Sequence, residues 1–423
     1  MKMVQLSEAM SHIQSRMRIY TQGMASTPHY LLAGLAERAK SLDGVTMYHL
    51  HLEGPTPWVT SELRPHIKDI SLFVGKNLRD AVRTGLSDYV PIFLSEVPWF
   101  LQQPKFRPHV VLINVSPPDR HGFVSLGPTI EATLAAVHNA DIVIAQVNPY
   151  VPRTLGDALL SVHDITYGVE YAESLNASEV GSSDQISREI GRYVADLIPD
   201  RATLQLGIGR IPDAVLTELT DHKDLGVHSE MISDGVRALT EQGVITGRYK
   251  TTDPGQIVAT FCMGSHALYE FINDNPAVSI RAVDYTNNTA VIRQNPRMMS
   301  VNSAVEVDLT GQVVAESVGP RILSGVGGQM DFVRGASLSV EGKSIIALPS
   351  RTNSGRPRIV ANLQEGAGVT TTRNHVQFVV TEYGVAALHG QTLRERARQL
   401  IAVAHPDDRA SLEEQVGKRL PRL

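Results

Sequence analysis

The 423-residue sequence predicts an α/β fold of two similar open domains, and three observations predict it. Short apolar or β-branched runs alternate with amphipathic helical stretches, which favours α/β layers over a bundle or a sandwich. One strand–glycine–helix outline occurs twice. A polar segment lies between the two copies. The length suits roughly two or three domains of about 150 residues each.

In chain order, Val45–Leu52, His109–Val115, Asp141–Val147, Leu204–Gly207, Ser344–Leu348 and Gln377–Glu382 are predicted as buried strands. Each is short, apolar or β-branched, and ends in turn residues. Helices are predicted over Tyr30–Lys40, Ile130–His138, Asp184–Leu197 and Leu393–Ala402, where the apolar residues follow a helical period. The repeated outline begins with Ile19-Tyr-Thr-Gln-Gly23-Met-Ala-Ser-Thr-Pro28 and returns as Leu204-Gln-Leu-Gly207-Ile-Gly209-Arg-Ile-Pro212. After each comes a strand ending in a similar tripeptide, His51-Leu52-Glu53 and His228-Ser229-Glu230. The match is weak residue by residue, but the order of features is that of a diverged duplication. The polar segment Ala177–Gln185 marks the seam. We therefore expect an N-terminal domain over 1–182 and a C-terminal domain over 183–423, facing one another.

Composition narrows the function. Hydrophobic residues are 42% and charged residues 20% of the chain, as in ordinary soluble proteins. A net charge of −5 offers no general attraction to nucleic acid or anionic membrane, so a polyanionic ligand needs a local patch or backbone amides. The single cysteine, Cys262, excludes an intrachain disulfide and a cysteine-based zinc site. The first twenty residues lack the apolar core of a secretory signal, and apolar runs such as Ile142–Val147 are too short to span a bilayer. A cytoplasmic protein is expected.

Three segments of the second half can carry chemistry. Gly207-Ile-Gly209-Arg-Ile-Pro212-Asp213 is a tight strand-to-helix turn whose free amides can hold an anion. A plain βα turn accounts for it equally well. It is neither a dinucleotide fingerprint nor a Walker loop, because the glycine spacing fails and no Gly-Lys-Ser/Thr follows. Glu230 follows a short strand, where open α/β sheets keep their ligand crevices; a solvated loop carboxylate is the other reading. Ser324-Gly-Val-Gly327-Gly328-Gln-Met-Asp331-Phe332 places more glycines together than a structural turn needs. Other chemistries fit less well. Cys262 lies in an apolar, strand-like stretch typical of inert packing. No G-x-S-x-G elbow exists. His49 and His51 alternate on a strand without the companions a metal site needs. The Arg394–Arg398 charge run suits the polar face of an ordinary helix.

These segments, with Asn302-Ser-Ala-Val-Glu-Val-Asp308, Val380-Thr-Glu-Tyr-Gly-Val385, Val115-Ser-Pro-Pro-Asp-Arg-His-Gly-Phe123 and Asn148-Pro-Tyr-Val-Pro-Arg-Thr154, resemble the acetyl-CoA hydrolase/transferase family. The likeness is greatest to its 4-hydroxybutyrate CoA-transferase group and covers nearly the whole chain. The resemblance implies two related domains of the NagB/RpiA/CoA transferase-like type with the active site between them. It implies Glu230 as the catalytic residue. Oxyanion and CoA contacts then fall on Gly207, Ile208, Gly209, Arg210 and Ile211 and on Gly327 and Gly328. A homo-oligomer, commonly a dimer, is also implied. In one departure the chain has Ser350-Arg-Thr-Asn-Ser-Gly355-Arg356-Pro-Arg358 where many relatives are lysine-rich. Arg356 or Arg358 suits the CoA phosphates, because guanidinium binds phosphate bidentately.

A glutamate suits the implied reaction. Attack on an acyl-CoA thioester gives an acyl-glutamyl anhydride and CoA thiolate; the thiolate then forms a glutamyl-CoA thioester and frees the first acid. A second carboxylate reverses the steps, which is ping-pong covalent catalysis. Each attack passes through an oxyanion, and losing one backbone donor there typically costs about 3–4 kcal/mol. Coenzyme A enters as substrate and covalent thioester, and no metal or redox nucleotide is indicated. A hydrolase using the same Glu230, or a non-catalytic CoA or sugar-phosphate binding protein, is the alternative. Acetate, butyrate, 4-hydroxybutyrate, succinate and itaconate all remain open as acids.

Overall fold

The computed structural model describes residues 1–177, 184–207 and 209–419. Two compact units form, and a single cut in the chain does not separate them. Unit 1 gathers Met1–Glu179, Val258–Thr286 and Ile322–Gly327; unit 2 gathers Val180–Ile257, Asn287–Arg321 and Gly328–Leu423.

Unit 1 is organised on strands β1 (Lys2–Met3), β2 (Arg18–Thr21), β3 (Val45–His49), β4 (Ile67–Ser71), β5 (Ser87–Tyr89), β6 (Val110–Val115), β7 (Ile142–Val147) and β8 (Tyr167–Glu170). They pair in the order β1-β8-β7-β6-β2-β3-β4-β5, parallel throughout. Central β6, Val-Val-Leu-Ile-Asn-Val, is buried along its whole length, as expected of a parallel strand covered on both faces. Helix α1 (His29–Arg38) follows β2 and sets Leu31, Leu32 and Leu35 into a core with Ile19, Met47, Val110 and Leu112.

Unit 2 repeats the plan. Its sheet contains β9 (Thr203–Leu206), β10 (Gly226–Val227), β11 (Met298–Ser303), β12 (Lys343–Ala347), β13 (Phe378–Thr381) and β14 (Gly384–Ala387). The order is β10-β9-β11-β12-β13-β14, parallel except for the closing β13–β14 hairpin. Helices α2 (Gln185–Ala195), α3 (Arg210–Thr217), α4 (Gln329–Leu338) and α5 (Leu393–Val403) complete the elements used below. The run β10-β9-β11-β12-β13 matches β3-β2-β6-β7-β8 in order and direction, and a helix follows β9 as α1 follows β2. The two units are therefore similar α/β layers, as the sequence predicted.

All six strands expected from the sequence form, most of them shorter by a residue or more. The helix expected over Ile130–His138 begins only at Thr133. Glu131 takes a φ of 46°, a left-handed conformation that no helical turn accommodates. Asp184 caps α2 by accepting a hydrogen bond from the Ser187 amide at 2.8 Å. The seam expected at Ala177–Gln185 falls largely outside the described residues. Cys262 is buried, and burial pushes its thiol pKa far up, which leaves it a packing residue.

Candidate active site

Glu230 is placed by the end of β10. The His228 amide donates to the Leu204 carbonyl at 3.0 Å, extending the parallel pairing with β9 beyond Val227. The Ser229 hydroxyl then takes the Leu206 amide at 3.3 Å, tying the segment to the end of β9. The next residue is Glu230, half-buried, followed by the short strand Met231–Ile232. The strand end thus fixes where the carboxylate emerges.

Three groups meet that carboxylate. Asn287 Nδ2 donates to Glu230 Oε2 at 3.2 Å and also to Asp331 Oδ2 at 3.2 Å. The Gly328 amide donates to the Glu230 carboxyl as well. Gly328 caps α4, and Asp331 lies in that helix's first turn. A Cβ at Gly328 would collide with Glu230 Oε2 and Asn287 Nδ2, although its φ of −97° suits any residue. Glycine is required there for closeness rather than for backbone freedom. Burial pushes the Glu230 pKa up to about 7; the hydrogen bonds from Asn287 and Gly328 oppose this, and the nearby Asp331 charge adds to it. The group is ionised in a useful fraction near neutrality and more basic than an ordinary carboxylate.

The Gly207 turn leads elsewhere in unit 2. Gly207 ends β9 with its amide on the Val301 carbonyl at 3.2 Å. Ile208 lies outside the described residues. Gly209 caps α3 at a φ of 113°, where only glycine is unstrained, and Pro212 sits in the first turn, where its missing N–H costs nothing. Gly209, Arg210 and Ile211 line a cleft of about 550 Å³ together with Arg351, Arg358 and Tyr383.

The arginines of this cleft differ in their commitments. Arg351 holds Asp408 bidentately at 2.8 and 2.6 Å, and Arg210 holds Asp184 at 2.8 Å. Arg358 donates to the Ala304 carbonyl at 3.0 Å, while its buried Nε has no hydrogen-bond partner among the described residues. Burial first, then the charges of Arg356 and Arg210, hold its pKa below the usual arginine value, so the ground is electropositive. Arg356 is exposed; its amide bonds the Thr352 hydroxyl at 3.0 Å, and it is not among the cleft-lining residues. Glu382 of the Val380–Val385 motif braces the wall by accepting from the Ser350 amide and hydroxyl at 2.9 and 2.6 Å.

The sequence-predicted residues thus fall into two groups: Glu230 with Gly328, and Gly209, Arg210 and Ile211 with Arg358. Gly327 takes a φ of 56°, and its carbonyl accepts the Leu94 amide within unit 1. Sequence reasoning missed Asn287 and did not single out Asp331. The run Tyr285-Thr-Asn-Asn-Thr289 has no telling spacing, whereas Asp331 lay inside the glycine-rich motif and could have been weighed as the carboxylate closest to it. Of the motifs in the first half, Asp119 and Arg153 pair at 3.1 Å and tie the Pro117-Pro118 loop to the Asn148–Thr154 segment.

Residues 1–177 match the model of the acetyl-CoA hydrolase/transferase N-terminal domain, and residues 264–416 that of the C-terminal domain. The chain belongs to the acetyl-CoA hydrolase/transferase family. Family relatives align over nearly its full length. It is 46% identical to the 4-hydroxybutyrate coenzyme A transferase of Clostridium kluyveri, over 99% of this chain and 98% of that protein. It is 44% identical to the succinyl-CoA:acetate/propanoyl-CoA:succinate CoA transferase of Fasciola hepatica, over 98% of this chain and 87% of that one. The crystal structure of RipA from Yersinia pestis superposes with a TM-score of 0.94 at 34% identity, covering 99% and 97% of the two chains.

Proposed function

We propose that this family member is a CoA-transferase that moves CoA between an acyl-CoA and a small carboxylic acid through a covalent intermediate on Glu230. The observation that carries the reading is the half-buried Glu230 carboxylate held between the Asn287 carboxamide and the Gly328 amide, in surroundings that push its pKa up to about 7. Its free electron pair attacks the acyl-CoA carbonyl, the C–S bond breaks, and CoA leaves as thiolate with an acyl-glutamyl anhydride left behind. The thiolate attacks the glutamyl carbonyl, the anhydride C–O bond breaks, and the first acid departs as carboxylate. The resulting glutamyl-CoA thioester is attacked by the second carboxylate, and the same two steps run in reverse. When the glutamyl carbonyl is attacked, negative charge returns to a Glu230 oxygen, where Asn287 Nδ2 and the Gly328 amide already point. Donors set in advance against developing charge are worth about 3–4 kcal/mol each.

The arginine-bearing cleft supports the CoA half of the reading. Its amides at the start of α3 and the positive charge of Arg358 suit phosphate. From the family resemblance we further propose a cytoplasmic homodimer, with the carboxylate supplying the covalent chemistry and no metal or redox nucleotide taking part. The buried single thiol is compatible with a reducing compartment.

Borohydride added after incubation with acyl-CoA is expected to reduce the thioester and leave a modified peptide containing residue 230. Glu230→Gln is expected to abolish both trapping and transfer. Unmodified Glu230 in an active enzyme rules the reading out. Free thiol released from acyl-CoA with and without acetate separates transfer from hydrolysis: a transferase forms acetyl-CoA and little thiol.

A further inference from the structure

One carboxylate near Glu230 has no part in the steps above. Asp331 is 6% exposed, stands in the first turn of α4, and accepts a hydrogen bond from the same Asn287 nitrogen that donates to Glu230. One NH2 group therefore bridges two carboxylates, one hydrogen to each. Turning the carboxamide over would set its oxygen between two negative charges. Asp331 thus selects the Asn287 orientation that presents a donor to Glu230, and it keeps that selection when Glu230 becomes a neutral anhydride or thioester.

We propose that Asp331 is a positioning residue for the Glu230 nucleophile, acting through the Asn287 carboxamide and through its own charge. This rests on the reading of Glu230 given above. The neighbours that bear on the Glu230 carboxyl are the Asn287 carboxamide, the Gly328 amide and the Asp331 carboxylate, and of these only Asp331 is charged. His228, two residues earlier, is buried with its ring 6.3 Å from that of Phe332 on α4. The Asp331 charge raises the Glu230 pKa and so makes the attacking oxygen more basic. A first-turn acid on α4 is also compatible with the helix dipole, which lets the charge persist at little cost in stability.

The test is the pH profile of kcat/KM for acyl-CoA, with borohydride trapping, in wild type, Asp331→Asn and Asp331→Glu. Asn keeps the shape and can still accept from Asn287, but it removes the charge. The expected result is an acid limb displaced to lower pH by about half a unit or more, with a plateau rate lower by roughly tenfold. Glu at 331 is expected to bring the limb back toward its wild-type position. Asp331→Ser makes the same charge removal and replaces the Asn variant if that variant does not fold. A limb left unmoved in charge-removed enzyme that still traps at Glu230 overturns the proposal, even if stability and rate fall. Absence of trapping in the wild type instead removes the Glu230 reading beneath it.

Discussion

Gly328 touches the Glu230 carboxylate so closely that one methyl group cannot be added without moving that side chain. Gly328→Ala is therefore expected to lower kcat by roughly a hundredfold, the scale of losing one preset oxyanion donor, while circular dichroism stays native. Near-normal turnover in that variant would mean that the contact has no part in the reaction. A strand end and the His-Ser-Glu tripeptide singled Glu230 out in the sequence, but they fitted a solvated loop carboxylate as well, and its catalytic role came from the family resemblance. The need for Gly328 was only half legible. Glycine density signalled something unusual, but closeness to a side chain almost a hundred positions away is a tertiary fact. Asn287 was illegible for the same reason: nothing local distinguishes an asparagine that bridges two carboxylates from one that caps a turn.

At the scale of elements, the strands of unit 1 hold a buried polar cluster. His49 Nε2 and Asp69 Oδ1 lie 3.1 Å apart on neighbouring β3 and β4, with Trp58 and Ser87 also donating to Asp69 at 2.7 and 2.5 Å. Burial lowers the His49 pKa, but the charge and hydrogen bond of Asp69 outweigh it, and the net direction is upward. Burial raises that of Asp69, and His49 with the two other donors brings it below the usual value. The His49 contribution is complete below its unfolded pKa and is lost as pH rises through its raised folded pKa. The Asp69 contribution is present above its unfolded pKa and is lost as pH falls through its lowered one. Together they stabilise most between about pH 4 and 6.5. Asp69→Asn, which leaves His49 buried without its counter-charge, is expected to cost roughly 3–5 kcal/mol near pH 6. Urea unfolding at pH 6 and pH 9 checks this, and the gap from wild type should narrow at the higher pH. Element reading from sequence succeeded where strands are apolar and failed at β11. Met-Met-Ser-Val-Asn-Ser looks too polar for a central strand. Yet Ser300 and Asn302 are buried because both hydrogen-bond Gln205 of β9, at 2.7 and 3.1 Å. Only the partner strand makes those residues affordable inside the sheet.

Across the whole molecule, the net charge of −5 would oppose the polyanionic substrate of the proposed function, and on that proposal the positive ground around Arg358 supplies the attraction locally. Arg358→Gln is expected to raise KM for acyl-CoA about 10–100-fold, the worth of one charge-assisted hydrogen bond, with kcat little changed. Wild-type KM should also rise with added salt, and less so in the variant. Equal salt sensitivity in both enzymes would assign the phosphate contact to another group. The repeated architecture was legible as a repeated order of features, while the interleaving of the two units was not. Apolar periodicity reports which face is buried, never which distant segment covers it.

That interleaving bears on how the protein is made. Segments Val258–Thr286 and Ile322–Gly327 belong to unit 1. The strand Val278–Ile280 pairs with Leu155–Gly156, and Tyr269 donates to the Asn176 carbonyl at 2.6 Å. A growing polypeptide that has delivered its first 179 residues still waits for these pieces. At ribosomal speed the delay is roughly 7–30 s, during which the short strand Leu155–Gly156 lacks its partner. Unit 1 therefore completes its packing only once Gly327 has been delivered.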